Sequence, residues 1–276
     1  MKLKYLGTSA AEGIPTVACR CRVCEKARQL KGRYVRTRSQ AMINNDMLLD
    51  FNSDSYGHFL ANGINMLDIN SILITHKHPD HFAPNEILLL LMPKFSATPR
   101  QNPLFVYGSE EVIDIVKSTI GNKIDFMKPA ACKMFVPFTV CGKYTVTPLK
   151  ANHGSGEGYY IYCISDGTKT VFYGHDSNYP EDITWEYLER EKPYFNLVSL
   201  DCTRCANTEL DPYHMNLTKC ASVKERMIKT GLADENTVFV LNHFSHNGRC
   251  ADYDDMCREA EKYGFTVSYD GMEIEF

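Results

Sequence analysis

The sequence predicts an α/β fold: two sheets packed face to face, with helices on the outside. Three observations predict it. Apolar, β-branched runs gather into two blocks, one ahead of residue 108 and one behind residue 132, and helical stretches accompany each block. Several of these runs stop abruptly at a histidine or aspartate, the pattern of a buried strand ending in a loop. No repeat, low-complexity tract or Pro/Gly/Ser linker divides the chain, so residues 1–276 read as one domain.

Residues 2–6 read as the opening strand, and 7–15, with their glycines and alanines, as a loop. A short helix is predicted over 24–30. Strands over 41–43 and 47–50 flank Asn44-Asn45-Asp46, a hairpin-turn composition, and the second delivers Asp50 to a strand end. A helix over 56–68 and a strand over 71–75 follow. Pro84 suits the first turn of a helix over 84–91. A strand over 104–107 leads into an amphipathic helix over 110–119. The second block reads as strands over 133–138, 144–149, 159–165 and 170–173, helices over 181–190 and 216–230, and strands over 238–242 and 266–269.

The chain of 276 residues is 44% hydrophobic and 23% charged, ordinary values for a globular protein. Its formal net charge of −4 argues against a polyanion gripped over a wide face, so a nucleic-acid partner is not expected. Arg20, Arg22, Lys26, Arg28, Lys31, Arg33, Arg36 and Arg38 form a local basic cluster, which reads as a solvated helix and loop. The longest apolar stretch, 87–92, is far too short to span a bilayer, so no membrane is expected. Residues 1–7 lack the features of a signal peptide. With eleven cysteines, three of them crowded at Cys19, Cys21 and Cys24, metal binding explains the crowding better than disulfides, and a cytoplasmic protein is expected.

The densest chemical signal is Thr75-His76-Lys77-His78-Pro79-Asp80-His81, directly after the apolar run Ser71-Ile72-Leu73-Ile74. Imidazole nitrogens and carboxylate oxygens are ligands that borderline divalent metals prefer. His76, His78, Asp80 and His81 can hardly all face one ion from so short a loop, so the spacing suggests two adjacent ions. His153, Asp176 and His243 each follow an apolar run in the same manner. Alone, each is an ordinary polar loop residue; beside the first motif, each reads as a further ligand on a rigid strand end.

A His-x-His-x-Asp-His motif, then a later His, a later Asp and a final His, resembles the metallo-β-lactamase superfamily of di-metal hydrolases over almost the full chain. The resemblance is closer to one branch, which holds the phosphoribosyl cyclic phosphodiesterases of the carbon–phosphorus lyase pathway. Four segments carry it: Gly7-Thr8 with Gly13-Ile14-Pro15 and Cys19-x-Cys21-x-x-Cys24; Val198-Ser199-Leu200-Asp201-Cys202; Leu241-Asn242-His243-Phe244-Ser245-His246; and Tyr269-Asp270-Gly271-Met272-Glu273-Ile274.

The resemblance implies a four-layer αββα sandwich with the metals at one edge between the sheets. It implies that His76, His78 and His153 hold one ion, that Asp80, His81 and His243 hold the other, and that Asp176 bridges them. The two ions would be manganese or zinc, with iron as a further candidate. It also implies a catalytic His214, in Asp211-Pro212-Tyr213-His214-Met215-Asn216-Leu217, contacting phosphate and passing a proton to the leaving oxygen. Asp80 is a candidate proton acceptor from the attacking water as well as a ligand. His175 reads as a pocket or packing residue and His58 as an ordinary helix histidine. A homodimer is common among such relatives, though no residue here fixes it.

Cys19, Cys21 and Cys24 offer three thiolates on one tight turn, and a tetrahedral structural zinc needs a fourth ligand. The resemblance implies His246; Cys250 is the rival. Such a zinc would pin the N-terminal loop to the segment carrying His243, so its loss is expected to loosen His243. Cys202-Thr203-Arg204-Cys205 spells a Cys-x-x-Cys but reads as a decoy, since loop composition rather than a helix follows it.

Two ions a few Å apart can share a water and lower its pKa towards neutrality, which suits attack on a small phosphodiester, the resemblance adding cyclic ribosyl phosphates as candidates. The same centre could open a lactone or ester, and this is the alternative reading. A nuclease acting on transfer RNA is disfavoured by the acidic balance and the absence of a long basic insertion. A catalytically silent binding module is disfavoured because all seven ligand candidates are present. The glycine-rich stretch Gly154-Ser155-Gly156-Glu157-Gly158 and the proline-punctuated stretch 93–103 depart from the branch and leave the substrate open.

Overall fold

The computed structural model describes residues 1–209 and 211–276. The first sheet contains β1 (Lys2–Gly7), β2 (Gln40–Ile43), β3 (Met47–Leu49), β4 (Ser71–Leu73), β5 (Leu104–Gly108) and β6 (Met127–Ala131). The second contains β7 (Phe138–Val140), β8 (Tyr144–Lys150), β9 (Tyr160–Ser165), β10 (Thr170–Gly174), β11 (Leu197–Asp201), β12 (Val238–Asn242) and β13 (Thr266–Val267). The chain then returns to the first sheet, where β14 (Glu273–Glu275) pairs antiparallel with β1. The strand orders are β14-β1-β2-β3-β4-β5-β6 and β13-β12-β11-β10-β9-β8-β7. Each sheet is antiparallel at one end and parallel at the other: β3 to β6 run parallel in the first, and β10 to β13 in the second.

Side-chain alternation along the strands builds the layers. Leu3, Tyr5, Ile43, Leu49 and Leu73 of the first sheet meet Val146, Tyr162, Ile164, Tyr173, Leu197 and Val240 of the second in a core between the sheets. The opposite face of the first sheet, with Leu6, Met42, Leu48, Ile72 and Val106, packs under α2 (Ser55–Asn62), α3 (Pro84–Leu91) and α4 (Glu110–Ile120). The opposite face of the second, with Leu149, Phe172, Val198, Leu200 and Leu241, packs under α1 (Arg22–Leu30), α5 (Asp182–Glu191), α6 (Leu217–Lys229) and α7 (Tyr253–Glu261). The four-layer αββα sandwich is therefore the fold.

Several predicted elements shift. The helix over 56–68 stops at Asn62, because Gly63 adopts a left-handed φ of 63° and its N–H closes the last turn. The strand over 133–138 is largely loop, with Phe135 at φ 60° and Pro137 ahead of the short β7. Strands predicted over 71–75 and 266–269 end earlier, at Leu73 and Val267. Four elements fall outside the pattern-based set: β6, β11, α7 and β14. Among the described residues, no helix is long and apolar enough to cross a membrane.

Candidate metal centre

The chain delivers seven of its histidines and aspartates to one rim of the sandwich, after β4, β8, β10 and β12. The loop after β4 carries His76, His78, Asp80 and His81, and is tightened by the N–H groups of His81 and Phe82 donating to His78 O at 3.0 and 2.8 Å. His153 follows β8, Asp176 follows β10 and His243 directly follows β12. Asp50, Asp176 and His243 take positive φ values of 67°, 51° and 62°. Left-handed backbone at non-glycine residues costs roughly 1–3 kcal/mol each, so the fold holds these side chains against local preference.

Seven predicted ligands come together. The ligand atoms of His76, His78, His153 and Asp176 lie within 4.8 Å of one another, and so do those of Asp80, His81, Asp176 and His243. Asp176 is common to both groups. Its Oδ2 lies 3.1 Å from His76 Nε2 and 3.3 Å from the Nε2 atoms of His81 and His153, and its Oδ1 lies 4.0 Å from His243 Nε2. Asp80 Oδ2 is 3.4 Å from His81 Nε2.

The donor set fits divalent cations. His81 Nε2 faces His243 Nε2 at 3.2 Å, and His78 Nδ1 faces His153 Nε2 at 3.3 Å, so lone pairs converge where no more than one ring nitrogen of each pair can donate. His76 Nε2 and Asp176 Oδ1 are buried with no properly formed hydrogen bond, despite their short contacts. Burial pushes His76 down to about 4, leaving it a neutral imidazole with a free lone pair. Burial also disfavours the Asp176 carboxylate, but the surrounding His243, His76 and His81 overcome this and hold it well below the usual carboxylate range.

Behind the ligands stand residues the sequence reading did not assign. Asp50 Oδ2 lies 2.7 Å from His81 Nδ1, while its Oδ1 accepts from the N–H and hydroxyl of Thr75, both at 2.8 Å. Burial alone would lower the pKa of His81, but the Asp50 and Asp80 carboxylates carry it well above the ordinary value. Asp201, at the end of β11, places Oδ2 3.2 Å from His243 Nδ1 and 3.2 Å from His214 Nδ1. Thr203 Oγ1 lies 2.8 Å from the same His243 nitrogen, and its one hydroxyl proton has Asp201 Oδ2 at 3.0 Å and His243 O at 2.8 Å as alternative acceptors. Carboxylate and hydroxyl partners of this kind fix the tautomer and orientation of a ligating imidazole. The signal for Asp50 and Asp201 was present, an aspartate after an apolar run, as at Asp176.

His214 sits on the loop before α6, held by its N–H donating to Asp211 Oδ1 at 2.9 Å. Its Nδ1 is 3.2 Å from Asp176 Oδ1, against the shared carboxylate itself. Burial disfavours its charge, yet Asp201 outweighs burial, and His214 is pushed up to about 9. The other histidines are elsewhere engaged. His175 is buried between Tyr5 and Tyr173, with Nε2 2.6 Å from Ser199 Oγ. His58 lies 2.6 Å from both Gln40 Oε1 and Thr37 Oγ1.

At the N-terminal loop, the ligand atoms of Cys19, Cys21, Cys24 and His246 also lie within 4.8 Å of one another, and Cys250 is not in that group. His246 Nδ1 is 3.5 Å from Cys21 Sγ and 3.7 Å from Cys19 Sγ. Burial works against the Cys21 thiolate, but hydrogen bonds from the Cys24 backbone and His246 bring it down to about 6. The loop is joined to the His243 segment by backbone too: Phe244 N–H donates to Thr8 O and Ala10 N–H to Phe244 O, each at 2.9 Å. Cys202 and Cys205 are fully buried, and burial raises both thiols. Much of the basic cluster is neutralised: Arg22 and Lys26 pair with Asp252, Arg28 with Glu25 and Arg38 with Asp54, while Arg36 is buried.

A family model described as "Beta-lactamase superfamily domain" matches residues 58–244. Similar solved structures include a diphosphatase from the PhnP family, with a TM-score of 0.76 and 20% identity, covering 100% of this chain and 97% of that one. Zinc-bound PqqB from Methylobacterium extorquens is similar at a TM-score of 0.73 and 16% identity, with 100% of each chain covered. The short form of human tRNase Z is similar at 0.66 and 15% identity, covering 100% of this chain and 99% of that one. Among curated proteins, an octanoyltransferase of Porphyromonas gingivalis (strain ATCC BAA-308 / W83) is 29% identical over 166 residues. That match covers 56% of this chain and 31% of the octanoyltransferase, so this chain spans about a third of that protein's length.

Proposed function

We propose that this chain, which belongs to the beta-lactamase superfamily, is a hydrolase that works with two divalent cations on small phosphodiesters. One observation carries the proposal: two four-residue ligand groups share the buried Asp176, with His214 3.2 Å from that same carboxylate. In this reading His76, His78 and His153 would hold one ion, Asp80, His81 and His243 would hold the other, and Asp176 would serve both. Manganese or zinc suits this donor set, with iron a further candidate. When bound, the pair supplies an activated water and electrostatic stabilisation of the attacked and leaving oxygens.

The chain's own groups divide the remaining work. Asp80 would take the proton of the attacking water, its side chain being 12% exposed against 3% for Asp176. His214, partly exposed beside the same carboxylate, would give a proton to the departing oxygen. Asp201 holds His214 in its protonated form, as a carboxylate beside an imidazole does. Residues 1–276 act as one unit, because both ligand-bearing sheets share one inter-sheet core.

The test is a substrate panel on chelator-treated protein, with manganese or zinc restored. Activity on bis(p-nitrophenyl) phosphate and on five-membered cyclic phosphodiesters is expected to vanish on chelation and to return with metal. Preference for phosphodiesters over lactones and acyl thioesters is expected. The similarity to an octanoyltransferase favours one second reading, hydrolysis of an acyl ester or thioester at the same centre. Faster turnover of an octanoyl thioester than of any phosphodiester would replace the first reading with the second.

Cys19, Cys21, Cys24 and His246 are proposed to hold a structural zinc. Cys21→Ser is expected to remove one zinc equivalent and lower Tm, each kcal/mol lost costing about 2–4 °C in a chain of this class. The sequence suggested that His243 would loosen as well. Thr203 and Asp201 grip the His243 ring independently of the cysteines, and backbone pairing ties Phe244 to the N-terminal loop. Active-site metal affinity, read by titration, is therefore expected to fall by less than about 10-fold, below the range for losing a ligand's direct partner. A larger fall would mean that the zinc alone sets the position of His243.

A further inference from the structure

We propose that Tyr159 is a positioning residue for one ion of the pair, and that Gly154 is kept small to admit it. The inference rests on the two-ion reading above and concerns residues which that reading leaves unused.

The Tyr159 ring stands against all three histidines of one ligand group and neither histidine of the other. Its centroid is 5.3 Å from that of His76, 5.4 Å from His78 and 5.6 Å from His153, at interplanar angles of 35°, 67° and 69°. Among the described residues, His81 and His243 make no such contact with Tyr159; their rings stack on each other at 5.3 Å.

The backbone fixes where the ring can be. Ala151 N–H donates to Tyr159 O at 3.1 Å, and Tyr160 N–H donates to Thr75 O at 2.9 Å. The tyrosine is thus clamped where the segment bearing His153 meets the segment bearing His76. Against the hydroxyl end of the ring lies Gly154, the residue after His153, at φ 62°, where an added Cβ would come within 2.5 Å of Tyr159 Cζ and 2.8 Å of its hydroxyl oxygen. Glycine at this position serves both a left-handed backbone and a close approach.

An aromatic ring here does two things. It restricts the rotamers of three imidazoles that must point inward together, and tilted and edge-to-face contacts are the arrangements rings prefer. It also presents a π-face to imidazoles that gain positive character when they coordinate a cation, a favourable interaction away from water. Asp80, His81 and His243 are oriented instead by one another, Asp50, Asp201 and Thr203. Tyr159 stands against one half of the cage alone, whereas Thr75, with Oγ1 3.0 Å from His76 Nδ1 and 3.4 Å from His81 Nδ1, stands behind both.

The test is titration of metal-stripped protein with manganese, read by calorimetry and by electron paramagnetic resonance. Wild-type protein is expected to take up two ions and to give a spin-coupled spectrum. In Tyr159→Ala, one ion is expected to weaken by about 10- to 100-fold, the usual effect of removing a residue that orients ligands, so that one equivalent gives an uncoupled six-line signal. Tyr159→Phe keeps the ring and is expected to match wild type. Gly154→Ala, which displaces the ring without removing it, is expected to weaken the same ion, and it carries the test should Tyr159→Ala fail to fold. Wild-type protein that takes up fewer than two ions sinks the two-ion reading and this inference with it. Two ions in wild type, retained at equal affinity by folded Tyr159→Ala or, in its place, Gly154→Ala, sink the inference alone. So does equal weakening of both ions.

Discussion

Asp176→Ala is expected to lower kcat/KM on a phosphodiester by at least about 10³-fold and to weaken both ions together. The size follows from the role proposed for the pair. Charge stabilisation by a bound cation is worth several kcal/mol, and each 1.36 kcal/mol is a factor of ten in rate. No other side chain belongs to both ligand groups on the loops after β4, β8, β10 and β12. Its Oδ2 lies within 3.3 Å of three imidazole nitrogens, so its loss leaves His76, His81 and His153 converging with no shared anion between them. Asp176→Asn is the informative companion: it keeps the volume and the φ of 51° but removes the charge. It is expected to fold like wild type and still lose at least one ion. Metal content by emission spectrometry, beside kcat/KM and a thermal melt, checks all three statements. Full activity in Asp176→Ala would end the two-ion hydrolase reading, since catalysis would then proceed without the carboxylate common to both ligand groups.

The candidate ligands were legible because they share one simple pattern, a largely apolar strand followed by a histidine or aspartate. For β4, β10 and β12 that pattern survives without any knowledge of the fold, since a parallel strand buried on both faces is apolar along its length. The residues that hold the ligands were harder to read. Asp50 and Asp201 follow the same strand-end pattern as Asp176, yet their task is to reach the Nδ1 atoms of His81, His243 and His214, and that depends on which strands are neighbours. Sheet order is a long-range property that local periodicity does not carry. Tyr159 gave no signal, because an aromatic just ahead of β9 looks like any core residue. Among the elements, β6 escaped because Lys-Pro-Ala-Ala has weak strand character, and it is tolerated at the sheet edge, where a Pro129 with no N–H to donate breaks the ladder least. For α7 the signals existed: Asp252 caps the first turn by accepting from Asp255 N–H, and Asp254 and Asp255 favour the positive end of the helix.

His214→Ala is expected to cost about 10²- to 10⁴-fold in kcat on phosphodiesters with poor leaving groups, the range for losing a positioned general acid. On bis(p-nitrophenyl) phosphate the loss should be much smaller, because p-nitrophenolate departs without needing a proton. Metal content should be unchanged, since Asp80, His81 and His243 on one side and His76, His78 and His153 on the other remain in place. Asp201→Asn should behave differently. Its carboxylate reaches His214 and His243 alike, each at 3.2 Å, so its removal disturbs the proton donor and one ligand together. In a double-mutant cycle the two losses should therefore be non-additive. On the His214→Ala background, Asp201→Asn should add only the part that acts through His243, about 10-fold or more in metal affinity, and that part should appear equally with good and poor leaving groups. A His214→Ala protein with wild-type kcat on an alkyl phosphodiester would remove His214 from proton transfer. Full additivity would instead show that Asp201 acts on metal binding alone, and that the proximity of its carboxylate to His214 has no part in the chemistry.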